Sequence, residues 1–465
     1  MYTSYSKDRL EKIFSVPRKI YFIGIGGISM SSLAHIAHDR GQIVGGYDRT
    51  PSKLTKALED DGVKIFYEID PAHIKDYDVI VYTAAIKPDQ PELAAALEAD
   101  RKGEKFCVYR ADFLGWLMSR SENRIGVAGM HGKSSTTSMI SHIFLAAGRD
   151  PTIVSGAELD ELGGAYRLGS KRDFIMEACE YQDSFISFTP NIAVVLNIDL
   201  DHTDYFSGID QIIDSFRRYL AIAENGYAVA NVGDPNVRKA LEGYRGKLVS
   251  FGEGGSFTAA NVTRDHGRAE FDIEKEGKFF THVKLGVTGT HHVMNSLAAA
   301  AASDICGVSP EDISKGLGSY RGAKRRMEYR GNMTTDSGDK IPVFDDYAHH
   351  PTEIKATLSG ALGMGYERVF VVFQPHTYSR TASLFDGFTS AFEGVHAIFA
   401  DIYAAREVNT FGVSSEKLAK AAGGIYLPSD EEIAKYLRSE LRSGDMLIVM
   451  GAGDIIRLDD MILDR

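Results

Sequence analysis

Cysteine is scarce. Cys107, Cys179 and Cys306 are the only three in 465 residues, too few and too scattered for a disulfide framework or a thiolate metal site. That usage suits a reducing compartment. Also missing is any basic stripe to offset a net charge of −12, which excludes a nucleic-acid partner. No uninterrupted apolar run approaches membrane-spanning length. Met1 to Pro17 is mixed and charged, without the apolar core of a signal peptide. The expectation is a soluble cytoplasmic protein with no membrane insertion. Internal repeats and low-complexity tracts are absent too. What remains is ordinary globular composition, 44% hydrophobic and 25% charged, in a chain long enough for three domains that each bury a core.

The most informative stretch is Gly126-Val-Ala-Gly-Met-His-Gly-Lys-Ser-Ser-Thr-Thr137. Arg124 to Ala128 reads as a short buried strand. From Ser134 to Leu145, Met139, Ile140, Ile143 and Phe144 recur at helical spacing. A glycine turn between them ends in Gly132-Lys133-Ser134. Such a junction cradles phosphates, because backbone N–H groups and the helix dipole both face the anion. Lys133 is placed to reach terminal phosphates and the Ser134 hydroxyl to meet a Mg²⁺. The strict phosphate-loop pattern wants glycine where Val127 stands, so the pattern is only partly met.

Strands and helices alternate on both sides of this loop, implying parallel sheets. Lys19 to Ile23 is a strand that enters Gly24-Ile25-Gly26-Gly27 and then a helix through His38. The turn is of dinucleotide-fold type, without the third glycine because position 29 is Ser29. Asp48 follows the next strand, Ile43 to Tyr47, in the place of a ribose-binding acid. A turn that holds no ligand would look the same. Asp78 to Thr83 is a further strand and Pro91 to Asp100 a helix. Asp173 to Ala178 leads to Glu177 and Glu180, and Ile192 to Asn197 runs into Asp199-Leu-Asp-His-Thr-Asp204. Acids at successive strand ends that face a phosphate loop read as a Mg²⁺ site. Phe257 to Val287 alternates as a β-hairpin excursion, and an Ala-rich helix follows from Ser296 to Ile305. The basic segment Tyr320 to Glu328 suits a hinge, or equally a solvated surface. Beyond it, strands at Pro342 to Asp346, Arg368 to Gln374, Val395 to Ala400 and Met446 to Met450 again end in polar motifs. The fold class expected is α/β in three consecutive domains: a Rossmann-like domain over 1–119, a central P-loop domain over 120–326 and a C-terminal Rossmann-like domain over 327–465.

These ordered motifs resemble the Mur ligases, ATP-dependent amide-forming enzymes of cell-wall precursor synthesis. The likeness runs through Gly24-Ile-Gly-Gly27 with Met30, His131-Gly-Lys-Ser134, Glu177 with Glu180-Tyr181, Asn197 with Asp201-His202, and Gly289 to Asn295. It continues through Arg325-Arg326, Asp346-Tyr-Ala-His-His-Pro351, Gln374-Pro-His376 with Arg380, and Gly451-Ala-Gly453. Essentially the whole chain is covered. The resemblance implies transfer of the ATP γ-phosphoryl group to the lactyl carboxylate of UDP-N-acetylmuramate, then attack by L-alanine on the acyl phosphate. The alternatives are a ligase attaching a recycled tripeptide to the same sugar nucleotide, which Gln374 to Arg380 resembles less, and an NAD-dependent oxidoreductase.

Carried over, the resemblance places the UDP-substrate at Gly24, Ile25, Gly26, Gly27, Asp48, Thr83 and His131. ATP would meet Gly129, Met130, His131, Gly132, Lys133, Ser134 and Ser135, with Asn295 at adenine, Asp346 near the ribose and Arg326 near the phosphates. Ser134 and Glu177 would hold one Mg²⁺ and His202 help with a second, although oxygen preference alone would choose Asp201 over His202. Tyr347, His349, His376 and Arg380 would receive the amino acid. Lys133, Glu177, His202, Arg380 and His349 would then form the catalytic set, in a monomer or homodimer. The chain departs from the family pattern at Met130, which removes a hydroxyl, at Cys179 in place of Asp, and at His292 and Thr377. Arg217 and Arg218 occupy the region where some sister ligases carry a metal-binding lysine.

Overall fold

The computed structural model describes residues 5–464 apart from 160–163, 203, 204, 266, 290, 323, 324 and 406. Thr203 and Asp204 of the acidic loop, Thr290, and Ala323 and Lys324 of the basic segment therefore lie outside the described residues. Three sheets follow one another along the chain.

The first sheet has five parallel strands in the order Lys64–Phe66, Ile43–Tyr47, Lys19–Ile23, Val79–Tyr82, Phe106–Tyr109. Lys19–Ile23 is apolar on both faces because helices cover both: Ile20 and Phe22 join one core, Tyr21 and Ile23 the other. The strand order reverses beside it, which opens a crevice at its carboxyl end. There lies the glycine turn, followed by the helix Ile28–Asp39.

The central sheet has ten strands. At its heart Asn123–Ala128 runs parallel to Asp173–Glu177 on one side and Ile192–Val195 on the other, with Val127 opposite Glu177 and Ala128 opposite Val195. This register brings the phosphate loop, Glu177 and the loop from Asn197 to one edge. The helix after the phosphate loop runs Lys133–Ala146 and fully buries Met139, Ile140, Ile143 and Phe144. The β excursion is a three-stranded antiparallel extension, Phe257–Asp265, Arg268–Lys275 and Lys278–Thr288. It joins the parallel strands through Phe251 and Phe257. The Ala-rich helix is longer than its composition suggested. It starts at His291, with His291, His292 and Asn295 in its first turns and lining the cavity beside the phosphate loop.

The third sheet has six strands in the order Glu328–Thr334, Lys340–Asp346, Asp445–Met450, Arg368–Phe373, His396–Phe399, Ile425–Tyr426, with only the first pair antiparallel. In the basic segment before it, Arg325 is a paired and not a solvated cation. Arg325 pairs with the buried Asp345 at 2.8 Å, and Arg325 and Met327 both take positive φ.

The two seams between sheets differ in kind. One apolar core runs from Phe113 and Leu117 beside the first sheet to Phe174, Phe185 and Phe216 of the central one. The third sheet keeps cores of its own and meets the central part through polar contacts: Thr352 Oγ1 to Asp199 at 2.8 Å, His350 Nε2 to the Leu200 carbonyl at 3.1 Å, and Arg380 Nε to Asp201 at 3.0 Å. No helix among the described residues is long and apolar enough to cross a membrane.

Candidate active site

The phosphate loop is shaped by Gly129 and Gly132, at φ +147° and +82°. Gly132 caps the following helix, and a Cβ there would lie 2.8 Å from Asn295 Oδ1. Glycine is required twice over, by conformation and by space. Asn197 clamps the loop, accepting from the His131 amide at 2.9 Å and donating to the His131 carbonyl at 3.0 Å. Lys133 Nζ turns back on its own loop, to the Gly129 carbonyl at 2.6 Å and the Met130 carbonyl at 3.1 Å, and pairs with Glu180 at 3.1 Å. Burial works against the lysine charge, but Glu180, with Cys179 and Glu177, outweighs it and raises the Lys133 pKa. Glu180 is fully buried. Burial would raise its pKa, yet Lys133 and His202 hold it below the usual carboxylate range. His202 Nε2 lies 3.2 Å from Glu180, at a backbone φ of +50°.

Glu177 accepts from Ser155 Oγ at 2.8 Å and from the Gly156 amide at 2.9 Å, both through Oε1. With Ser134 and His202 it lines a cavity of about 560 Å³ that also takes in Ile28 of the first domain and Tyr347 and His349 of the third. A second cavity, of about 400 Å³, lies on the other side of the loop and is lined by Ser135, Asn295 and Asp346 among others. His131, Gly132, Arg326 and Glu353 form the wall common to both.

In the smaller cavity, Asn295 Nδ2 is buried without a partner. So are Nδ1 of His291 and His292, whose pKa values fall through burial, that of His291 to about 4. These are donors and acceptors waiting for a polar ligand. Asp346 is less free than expected. Its carboxylate accepts from the amides of Met327 and Ala348, each at 2.8 Å, and burial pushes its pKa up to about 6 although Arg326 opposes this. Asp346 therefore fastens the hinge as well as facing the cavity.

Glu353 is the hub that motif reading did not single out. It lies 3.5 Å from His131 Nδ1, 3.7 Å from Arg326 and 3.3 Å from His349 Nδ1. Burial would raise its pKa, but His349, His131 and Arg326 hold it well down. For His131, burial disfavours the charge, while Asp199 and Glu353 more than offset it and raise the pKa to about 9. His131, Asp199 and His350 also bring ligating atoms within 4.8 Å of one another. His350 spends both ring nitrogens locally, on the Leu200 carbonyl and the Thr352 amide, so this group is an interdomain contact. His349 is lowered to about 4, first by burial and further by Arg380, with Glu353 opposing. Tyr347 is partly exposed under Arg325 and Arg326. Arg380 was expected to stand free for a carboxylate. Instead its Nε is held by Asp201, and Nη1 donates to His376 Nδ1 at 3.1 Å, because the short helix Tyr378–Ser383 faces the central domain.

The first-domain residues form a separate group and, among the described residues, reach the larger cavity only through Ile28. The amides of Gly24 and Ile25 donate to the Tyr47 carbonyl at 2.7 and 2.9 Å, and that of Gly27 to Gly24 at 3.2 Å. Asp48 accepts from the Gly26 amide at 2.8 Å. The turn is thus held by its own hydrogen bonds, and Asp48 braces it. Thr83 directly follows the adjacent strand, Val79–Tyr82.

Glu180, Asp199 and Asp201, expected as acids of a metal cluster, are found paired with Lys133, His131 and Arg380; Glu353 and His350 carried no expected role. Glu353 lies in the first turn of the helix Pro351–Leu362, where an acid favours the helix dipole, and that position carried no signal of its partners.

Three family profiles match in chain order: "Mur ligase family, catalytic domain" over residues 19–122, "Mur ligase middle domain" over 127–303, and "Mur ligase, glutamate ligase domain" over 325–453. The UDP-N-acetylmuramate–L-alanine ligase of Clostridium acetobutylicum is 43% identical over 459 residues, covering 97% of this chain and 98% of that protein. Among solved structures, the UDP-N-acetylmuramate–alanine ligase of Thermotoga maritima aligns with a TM-score of 0.76 at 25% identity, over 96% of this chain and 98% of the other. A murein peptide ligase from Psychrobacter arcticus shares the fold, with a TM-score of 0.68 at 23% identity over 96% and 98% of the two chains.

Proposed function

The chain belongs to the Mur ligase family, and we propose that within it the enzyme joins L-alanine to the lactyl carboxylate of UDP-N-acetylmuramate at the expense of ATP. One observation carries this reading: the phosphate loop, the acids at neighbouring strand ends, and His349 and Tyr347 of the third domain all line a single cavity. A phosphoryl donor, a carboxylate and an amine can meet there. The near-full-length similarity to UDP-N-acetylmuramate–L-alanine ligases supports the choice of amino acid.

The residue roles belong to the same proposal. ATP lies across the loop, its base toward Asn295 in the smaller cavity and its terminal phosphates toward Lys133, flanked by Gly129 to Ser135 and Arg326, with Asp346 near the ribose. The carboxylate of Glu177 and the hydroxyl of Ser134 fit Mg²⁺, which prefers oxygen ligands. His202 is the candidate contact for a second ion, in exchange for Glu180. Bound Mg²⁺ supplies charge neutralisation for in-line phosphoryl transfer between two anions. Lys133, now turned to its own carbonyls, swings to the transferred group. The first-domain glycine turn and Thr83 hold the UDP moiety, and Ile28 touches the sugar side of the cavity. Arg380 and His376 receive the alanine carboxylate through guanidinium N–H groups that Asp201 leaves open. The product of the first step is an acyl phosphate, which water must not reach. The polar seam between the central and third domains suits a closing motion, because its contacts can exchange with water at little cost. We place the domains at 1–119, 120–326 and 327–465 and the enzyme in the cytoplasm, where ATP and nucleotide sugars are supplied. The test is phosphate release from ATP that requires both UDP-N-acetylmuramate and L-alanine. Equal release with NAD-type substrates, or with the tripeptide in place of alanine, defeats the reading.

A further inference from the structure

An amino acid arrives as an ammonium ion, and its nitrogen has no lone pair to attack with until a proton leaves. The carboxylates of the larger cavity are already engaged. Glu177 holds Ser155 and Gly156, Glu180 holds Lys133 and His202, Asp201 holds Arg380, and Glu328 holds Arg330 and the Arg325 amide. His202 has its Nε2 against Glu180. His349 differs. Its Nδ1 faces the Tyr347 carbonyl at 3.0 Å and Glu353 at 3.3 Å. Those acceptors keep the proton on Nδ1, and among the described residues Nε2 has no hydrogen-bond partner. The Glu353 carboxylate also accepts from the His349 amide at 3.1 Å, so ring and backbone are held from one side.

We propose that His349 Nε2 accepts the ammonium proton of the incoming amino acid and that Glu353 is the positioning residue that fixes the ring for it, an inference that rests on the acyl-phosphate reading above. The groups facing His349 are Glu353 on the helix that follows it, Arg380 and His376 from the segment after Arg368–Phe373, and Asp201 from the central domain. Burial and Arg380 keep the ring neutral before the substrate arrives, as an acceptor must be, and Glu353 stabilises the imidazolium that forms. The proton passes from nitrogen to Nε2, and the freed lone pair forms the C–N bond at the acyl carbon. The tetrahedral species then breaks its C–O bond to phosphate, which leaves with the electron pair and takes the second nitrogen-bound proton. His349 returns its proton to water. Glu353 also touches His131 of the phosphate loop, so the acceptor is braced against the nucleotide-binding element.

The test compares two nucleophiles on the full-length enzyme with ATP, Mg²⁺ and UDP-N-acetylmuramate. Hydroxylamine is unprotonated at neutral pH, needs no base, and traps the acyl phosphate as a hydroxamate. In His349→Asn, alanine ligation should fall about a hundredfold while hydroxamate formation stays near the wild-type rate. Glu353→Gln, which keeps an acceptor but loses the charge, should show the same split at about tenfold. Alanine ligation by His349→Asn should also climb more steeply with pH than the wild type, as free amine accumulates. A parallel loss with both nucleophiles in both variants, or undiminished alanine ligation, overturns the proposal. Wild-type enzyme that ligates alanine yet yields no hydroxamate sinks the acyl-phosphate reading itself, and this inference with it.

Discussion

Glu180→Gln tests the electrostatic centre of the site, because it removes a charge and almost no volume. The wild-type carboxylate is fully buried and serves both Lys133 and His202. Lys133 is itself mostly buried, at 17% side-chain exposure, and would keep only the Gly129 and Met130 carbonyls and a neutral amide oxygen. Stranding a buried charge in this way costs about 3–5 kcal/mol. The remaining acceptors point to the lower end, about 3 kcal/mol. In a domain of this size 1 kcal/mol corresponds to roughly 2–4 °C, so the central-domain transition should fall by about 6–12 °C. Scanning calorimetry is the assay, since three domains need not melt together. ATP with Mg²⁺ should raise the variant's transition more than the wild type's, because bound phosphates give Lys133 a new counter-charge. The control is the Lys133→Met background, where Glu180→Gln should be neutral or stabilising. An equal fall in both backgrounds would refute the claim that the pair, and not local packing, is what Glu180 contributes.

Lys133→Met should remain folded by circular dichroism yet lose about a hundredfold to a thousandfold in turnover, the usual effect of removing one donor to developing charge. Arg380→Lys should raise the alanine Michaelis constant about tenfold to a hundredfold, for a lost charged hydrogen bond of roughly 1.5–3 kcal/mol. The ATP and sugar-nucleotide constants should hold; a rise in the ATP constant instead would move Arg380 to the nucleotide. His131 gives a pH prediction. Its pKa is about 9 in the folded chain against about 6.5 unfolded, so its contacts with Asp199 and Glu353 stabilise fully below about 6.5 and are lost as pH rises through 9. Small-angle scattering should show the third domain separating over that range in the wild type, and a flat profile in His131→Gln. Titration calorimetry should give binding of UDP-N-acetylmuramate and none of NAD; tight NAD binding without uridine binding would reinstate a dinucleotide role for the turn at Gly24.

By itself the sequence determined the elements and their order. Strands buried on both faces read as continuous apolar runs, Met139, Ile140, Ile143 and Phe144 mark one helix by their period, and glycines flag turns that need positive φ at Gly24, Gly129 and Gly132. These signals are local, so one chain without coordinates suffices. Ordered motifs extended that reading to family and chemistry, and Lys133, Glu177, His202 and His349 do line one cavity. Only the tertiary structure decided which charges are spent on which partners. Asp48 reads as a ribose ligand because it follows a strand, and only the fold shows that one of its oxygens accepts from the Gly26 amide. Arg380 is assigned to the amino acid by resemblance, yet Asp201 lies 179 positions away and meets it across the domain seam. Glu353 was hidden for the same reason, and Glu180, legible as a strand-end acid, gained Lys133 and His202 as partners only in the fold. A carboxylate's role is set by the charges within a few ångströms of it, and in a chain folded from three sheets those charges come from segments whose separation no spacing rule encodes.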